Sequence, residues 1–309
     1  METENEVQVK PRQHKLLDRP VPGMILMILW ALFFSEVLFG MIGGILDGMV
    51  QMSLRLASGI PQEEIGSAAG QMKTGTITYC FCALGGFLVL LIHRRYFRGE
   101  FRGYLPRIAS DDRRSMLAAG AVIAIDLGYC LAGDISNGFK VPGTEALAIA
   151  LMAGFCEEAA FRGLALSTAM RTVKDQRGIT RAVLLTAILF GLVHGSNVLA
   201  GADPTGTLVQ VLFTVGMGVF MAALYLRTGN LATALLFHIL HDILAQCTQV
   251  SEGAIVTQMS PLSIAENLGM TLILAAGGIF LLKGHTEEIL AVWRERWSRE
   301  EAGSSPAES

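Results

Sequence analysis

Long apolar segments alternate with short polar connections along most of the chain. Each segment is close to the roughly 20 residues that an α-helix needs to cross the hydrocarbon core of a bilayer. The pattern predicts an all-α, polytopic integral membrane protein with about eight transmembrane helices. We expect them near residues 23–46, 74–92, 115–133, 144–165, 182–199, 207–226, 230–248 and 263–282.

The polar ends of the chain flank one predicted membrane domain. Residues 1–22 are polar and then basic, without the apolar core of a signal peptide, so we expect a cytoplasmic N-terminal arm. Residues 23–283 form the predicted eight-helix membrane domain. Residues 284–309 predict an amphipathic segment followed by a disordered tail.

Two connections carry weaker structural signals. The connection over residues 47–73 is long and contains acidic residues and a proline, which suggests a short interfacial helix. The arginine- and aromatic-rich residues 93–107 suggest an interfacial anchor that contacts anionic headgroups. The alternative is that these arginines only set the membrane topology.

Composition and charge agree with a membrane protein. Hydrophobic residues make up 52% of the chain and charged residues 17%, which excludes an ordinary soluble domain. Sorting Lys and Arg onto alternate sides of the eight helices puts twenty on one side and three on the other, with one inside a helix. The positive-inside rule therefore places both termini in the cytoplasm. No basic block with interleaved aromatics indicates a nucleic-acid partner.

Three of the predicted helices carry ionisable residues at a similar depth. Glu157, His194, His238 and Asp242 lie 11 to 15 residues from the nearest basic residue of a cytoplasmic loop. A helical rise of about 1.5 Å per residue puts them in one layer, roughly 17–23 Å from that edge. Ionisable side chains inside a membrane are costly and usually functional, so we expect a shared polar site.

Neighbouring acids in the fourth predicted helix have different expected roles. Glu158 and Arg162 are four residues apart, which predicts an ion pair on one face of the helix. Glu157 points about 100° away and has no cationic partner nearby in sequence, so it is free to act as a general base. The roles of His241, Glu36 and Asp126 stay open. The five cysteines show no CxxC pair, and we expect them to be buried and to pack as small apolar side chains. The minor alternative is that Cys156 is a nucleophile.

Three motifs on separate predicted helices together resemble a known signature. They are Glu157-Glu158-x-x-x-Arg162, Phe190-x-x-x-His194 and His238-x-x-x-Asp242. In this order and spacing they resemble the CPBP family, the CAAX protease and bacteriocin-processing intramembrane endopeptidases. The resemblance covers about residues 144–250.

The resemblance implies roles for the motif residues. Glu157 would be the general base, His194 would hold and polarise the attacking water, and His238 with Asp242 would stabilise the oxyanion. Glu158, Arg162 and Phe190 would support them. The family accepts Asn or Asp at the last motif position, and Asp donates a hydrogen bond only when it is protonated. Asp242 therefore has two alternative roles, as a residue that orients His238 or as a ligand.

The resemblance leaves the metal dependence open between two mechanisms. We expect no obligatory cofactor. The alternative is a catalytic zinc held by Glu157, His194 and His238, with a water in the fourth position. No HExxH helix is present in the sequence.

The expected partners are the lipid bilayer and a peptide or protein substrate at the membrane. The resemblance offers prenylated CAAX-type C-termini, bacteriocin or pheromone leaders, and membrane-anchored regulators as substrates. A bacterial plasma membrane is the expected location, because no organelle signal is visible and the loops are short. Two other functions remain as alternatives, namely a proton- or cation-coupled transporter and a non-catalytic immunity or scaffold protein.

Overall fold

The computed structural model describes residues 15–57, 75–98, 101, 104, 112–136, 138–247 and 259–297. Within these residues the chain is helical and contains no strand, which confirms the all-α prediction. The helices are α1 (Pro20–Ala57), α2 (Thr76–Tyr96), α3 (Arg113–Ser136), α4 (144–170), α5 (Gln176–His194), α6 (Pro204–Thr228), α7 (Leu231–Ala245), α8 (Pro261–Leu282) and α9 (Thr286–Trp297).

Six of the described helices are long and apolar enough to cross a membrane, namely α1, α2, α3, α5, α6 and α8. The other two predicted spans are α4, which carries the charged motif, and α7, which has only 15 residues. The chain is thus a polytopic membrane protein. The two helices that depart from the simple pattern are those with the Glu157 and His238 motifs.

Capping residues determine where several of the later helices begin and where α6 ends. Asp175, Asp203, Asn230 and Ser260 each precede a helix, and each side chain accepts a hydrogen bond from a backbone N–H of the first turn. Gly229 ends α6 with a φ of 61°, a left-handed conformation that glycine adopts without strain. Because Asn230 follows directly, α7 turns back immediately beside α6.

Glycines allow several helices to pack with their backbones in close approach. A Cβ atom on Gly86 of α2 would lie 2.7 Å from the carbonyl carbon of Phe155 in α4. A Cβ atom on Gly216 of α6 would lie 2.6 Å from the carbonyl oxygen of Thr271 in α8. Small residues at crossing points are typical of membrane helix packing. In α6, 67% of the most apolar stretch is buried, so this helix lies at the centre of the bundle.

Helix α9 is amphipathic and packs against the bundle. Ile289, Leu290 and Trp293 are buried, and the indole N–H of Trp297 donates to the carbonyl oxygen of Ser167 at 2.9 Å. The guanidinium of Arg227 also donates to the Glu288 carboxylate, at 2.6 Å. The segment therefore docks through both apolar and ionic contacts.

Three details differ from the sequence expectations. Helix α1 begins at Pro20, within the predicted N-terminal arm, and continues to Ala57, so residues 47–57 extend the first helix and do not start an interfacial one. The remainder of that connection, 58–74, lies outside the described residues. In the proposed anchor, Phe97 and Phe101 are buried against Trp297, which shows that these aromatic rings pack on protein.

Candidate active site

Helix α4 changes its geometry directly after its two acids. The segment Thr144–Glu158 is α-helical, residues Ala159–Leu166 form a π-helix, and Ser167–Met170 return to α-helix. All eight residues of the π-helix are buried. Segments of π-helix are rare and often occur at functional sites, because they change the register of the side chains that follow.

Glu158 joins two of the motifs through a single carboxylate oxygen. Its Oε1 accepts a hydrogen bond from Nη1 of Arg162 at 2.8 Å, which confirms the predicted ion pair. The same oxygen lies 2.9 Å from Nδ1 of His238 on α7. Because a carboxylate only accepts, Nδ1 of His238 carries the proton in this contact. Glu158 therefore fixes the orientation of His238 as well as pairing with Arg162.

The other ring nitrogen of His238 points towards two further carboxylates. Its Nε2 lies 3.7 Å from Oε2 of Glu157 and 3.5 Å from Oδ2 of Asp242. These distances are too long for good direct hydrogen bonds. Oε2 of Glu157 is buried and has no hydrogen-bond partner among the described residues. His238, Glu157 and Asp242 thus lie close together without good direct hydrogen bonds between them.

His194 is oriented by its own helix. Its Nδ1 lies 2.9 Å from the carbonyl oxygen of Phe190, and since a carbonyl accepts, Nδ1 carries the proton. Nε2 of the neutral ring is then free to accept a proton or a hydrogen bond.

The Phe190 ring packs among the three motifs. The Arg162 guanidinium lies over it, 4.4 Å from the ring centroid, which is a cation–π contact. The rings of His194 and His238 meet the Phe190 ring nearly at right angles, with centroids 5.1 and 5.9 Å away.

A cavity of about 740 Å³ brings the predicted catalytic residues together. Glu157, His194, His238 and Asp242 all line it. This volume lies within the range of about 300–1,000 Å³ that is usual for ligand pockets. The sequence prediction that three helices supply one polar site therefore agrees with the geometry.

Comparison with known families bears on the same part of the chain. Residues 142–244 match the family model described as Type II CAAX prenyl endopeptidase Rce1-like. This segment is of the CPBP family. The match covers a third of the chain and includes every residue of the three motifs. In general terms, the match supports the activity of a CAAX-type intramembrane endopeptidase. Comparisons with curated proteins and with solved structures gave no match.

The zinc site that the sequence offered as an alternative, with Glu157, His194 and His238 as ligands, can be compared with the distances between possible ligand atoms. Among the described residues, one group of three acidic, histidine or cysteine side chains has its ligand atoms within 4.8 Å of one another, and it consists of Asp126, Cys130 and His241. The set Glu157, His194 and His238 does not meet that limit. We therefore assign no chemical step to a metal held by these residues.

Two contacts made by acidic residues outside the CPBP segment could not be predicted from sequence. Oδ2 of the fully buried Asp126 lies 2.8 Å from Nδ1 of His241. The backbone carbonyl of Glu36, in the π-helical part of α1, accepts from the thiol of Cys82. Asp126 belongs to no motif, and an acid within an apolar run was the only signal of its contact, whereas the backbone contact of Glu36 has no sequence signal.

Proposed function

We propose that this protein is an intramembrane endopeptidase that hydrolyses peptide bonds of membrane-associated substrates. The observation that carries the proposal is that Glu157, His194, His238 and Asp242 line one cavity and all lie in the CPBP-family segment. The substrates that fit the resemblance are prenylated C-termini and leader-bearing peptides.

In the proposed reaction, Glu157 is the general base. Its carboxylate, which lines the cavity, takes a proton from a water that Nε2 of His194 also holds through a hydrogen bond. The water oxygen bonds to the scissile carbonyl carbon, and the carbonyl oxygen becomes an oxyanion. When the C–N bond breaks, Glu157 returns the proton to the leaving amine. General acid–base catalysis of this kind contributes typically about 10²–10⁴-fold in rate.

His238 is the proposed donor to the oxyanion. Since Nδ1 is bonded to Glu158, donation from Nε2 as well requires the imidazolium form. The surrounding carboxylates of Glu157, Glu158 and Asp242 supply the counter-charges for that form. A fixed donor aimed at a developing oxyanion is typically worth about 10²–10³-fold in kcat. Asp242 either holds His238 in place or, when protonated, donates to the oxyanion itself.

We further propose that the substrate reaches this site from the side of the membrane that lacks the basic loops. Besides the catalytic residues, the cavity is lined by Asp203 at the start of α6, Gln246 at the end of α7 and Met259 before α8. These three residues lie at the opposite end of α6 and α7 from Arg227. The positive-inside rule assigns the end with Arg227 to the cytoplasm.

The decisive experiment uses the purified full-length protein in detergent with a library of prenylated and leader peptides. Cleavage is followed by mass spectrometry for the wild type, Glu157→Gln, His194→Ala and the matched control Glu145→Gln, an exposed acid on the same helix. We expect cleavage by the wild type and the control, and a loss of at least about 100-fold in the other two. Cleavage that persists in Glu157→Gln would reject the assignment. A transporter or scaffold predicts no cleavage by any of the four proteins.

A further inference from the structure

We propose that Asp126, Cys130 and His241 form a second site, which binds a thiophilic divalent cation such as Zn²⁺ on another wall of the same cavity. The three side chains lie on α3 and α7, and two of them, Cys130 and His241, line the cavity directly. None of them belongs to the motif set described above.

The ligand atoms converge on Nδ1 of His241. Oδ2 of Asp126 lies 2.8 Å from this nitrogen, and Sγ of Cys130 lies 3.7 Å from it. A tetrahedral zinc with metal–ligand distances of about 2.0–2.3 Å separates its ligand atoms by about 3.3–3.7 Å. The sulfur is already at that separation. The carboxylate would move by about 0.5 Å to exchange its hydrogen bond for coordination.

The state of Asp126 is an independent indication of a ligand. This side chain is fully buried, and its second oxygen, Oδ1, has no hydrogen-bond partner among the described residues. A carboxylate in the interior of a membrane protein is expensive unless its charge and its oxygens are satisfied. A protonated His241 supplies a counter-charge but contacts Oδ2 alone, whereas a bound cation can also be a partner for Oδ1.

The positions of these residues on their helices allow the three side chains to meet. Asp126 and Cys130 are four apart on α3 and therefore share one face of the helix. His241 comes three residues after His238, and its ring stacks on that of Phe213 in α6 at 5.3 Å, which restricts the orientation of the imidazole. With three protein ligands and a cavity in front of them, the fourth position is open to water or to a substrate group.

The test measures metal content, so its outcome is separate from that of the protease assay. Full-length protein is equilibrated with zinc, dialysed, and analysed by elemental mass spectrometry and size exclusion. We expect about one tightly bound zinc per chain. It should fall to background in Cys130→Ser and Asp126→Asn, while the exposed-cysteine control Cys80→Ser retains it. Cobalt substitution should give a thiolate-to-metal charge-transfer band that is absent from Cys130→Ser.

Two results would overturn the proposal. One is a wild type that retains no zinc after dialysis. The other is zinc that survives Cys130→Ser but is lost from Glu157→Gln, since it would place the metal on the motif residues. If the proposal holds, Glu157→Gln keeps its zinc whether or not the protein proves to be a protease. In that case, inhibition of cleavage by a chelator would not by itself assign a metal to the catalytic motif.

Discussion

The adjacent residues Glu157 and Glu158 should respond in opposite ways to the same conservative change. Glu158→Gln removes the counter-charge of Arg162, whose side chain is 1% exposed, and weakens both hydrogen bonds that Oε1 accepts, at 2.8 and 2.9 Å. Unit charges about 4 Å apart interact by about 4 kcal/mol at an effective dielectric constant of 20. Removing one partner of a buried pair typically costs about 3–5 kcal/mol. Because Gln keeps one acceptor oxygen, we expect a loss of about 3 kcal/mol in unfolding free energy.

Glu157→Gln should leave stability almost unchanged and abolish activity. Oε2 of Glu157 has no hydrogen-bond partner among the described residues, and Nε2 of His238 is 3.7 Å away. Neutralising this carboxylate also removes a desolvation cost, so the change in unfolding free energy should be below about 1 kcal/mol. Peptide cleavage should fall by about 10²–10⁴-fold, since the base is lost.

The assay combines unfolding in mixed micelles with peptide cleavage at a temperature where all variants are folded. A double variant, Glu158→Gln with Arg162→Met, serves as the internal control, because it removes both charges of the pair. It should be less destabilised than the sum of its single changes by about 1–3 kcal/mol. Equal destabilisation by the two glutamine variants would refute the reasoning, and so would full activity of Glu157→Gln.

Three further changes test other parts of the structure. Gly86→Ala should destabilise the protein by about 1–3 kcal/mol in thermal or detergent unfolding, because the new Cβ would lie 2.7 Å from the Phe155 backbone. Asp242→Asn should retain cleavage within about tenfold, while Asp242→Leu loses about 100-fold or more, if this position donates to the oxyanion. Acidification should weaken the docking of α9, because the hydrogen bond from Arg227 holds the pKa of Glu288 below its usual value of 4.5. The Arg227–Glu288 contact therefore stabilises the docked α9 above about pH 4.5, and this stabilisation is lost as the pH falls further. Tryptophan fluorescence and limited proteolysis of α9 would detect the change.

Each of these changes has a control and an opposing outcome. A Cβ atom added at Gly120 would meet no other atom within 4 Å, so Gly120→Ala should be neutral, and a comparable loss there would contradict the packing argument. Activity in Asp242→Leu would remove this position from the reaction. For α9, Arg227→Gln should weaken the docking already at neutral pH, whereas the exposed Arg294→Gln should not. An unchanged α9 in Arg227→Gln would assign its docking to the buried side chains of Ile289, Leu290 and Trp293 and to the hydrogen bond of Trp297.

The sequence was sufficient to predict the helices and the residues of the polar layer. It was not sufficient to predict the contacts between those residues. Hydrophobic runs report which segments are buried in lipid, and helical counting reports depth, so Glu157, His194 and His238 could be placed together. The i,i+4 rule also found the pair of Glu158 with Arg162. Which neighbouring helix faces Glu158 depends on tertiary packing, and its bond to His238 was therefore not predictable.

The π-helix and the Asp126–His241 contact were missed for related reasons. Apolar periodicity cannot distinguish 3.6 from a slightly wider helical repeat over the eight residues Ala159–Leu166. Asp126 lies on α3, where no motif marks it, and its partner is 115 residues away in sequence. The only sequence sign of such a long-range polar contact is an acidic residue within an apolar run.

The short length of α7 gives a physical reason for water to reach a site inside the membrane. Its 15 residues span about 22 Å, which is less than the roughly 30 Å of a hydrocarbon core. Starting from the Gly229–Asn230 turn at the basic end, α7 therefore stops short of the opposite face. Asp242 lies in its last turn, and Gln246 directly after it lines the cavity. The neighbouring α6 has 25 residues and is long enough to span the core, so it is about ten residues longer than α7. A helix that is too short by the usual criterion thus suits the proposed hydrolase, because the cavity joins Gln246 at the end of α7 to Asp242 and Glu157.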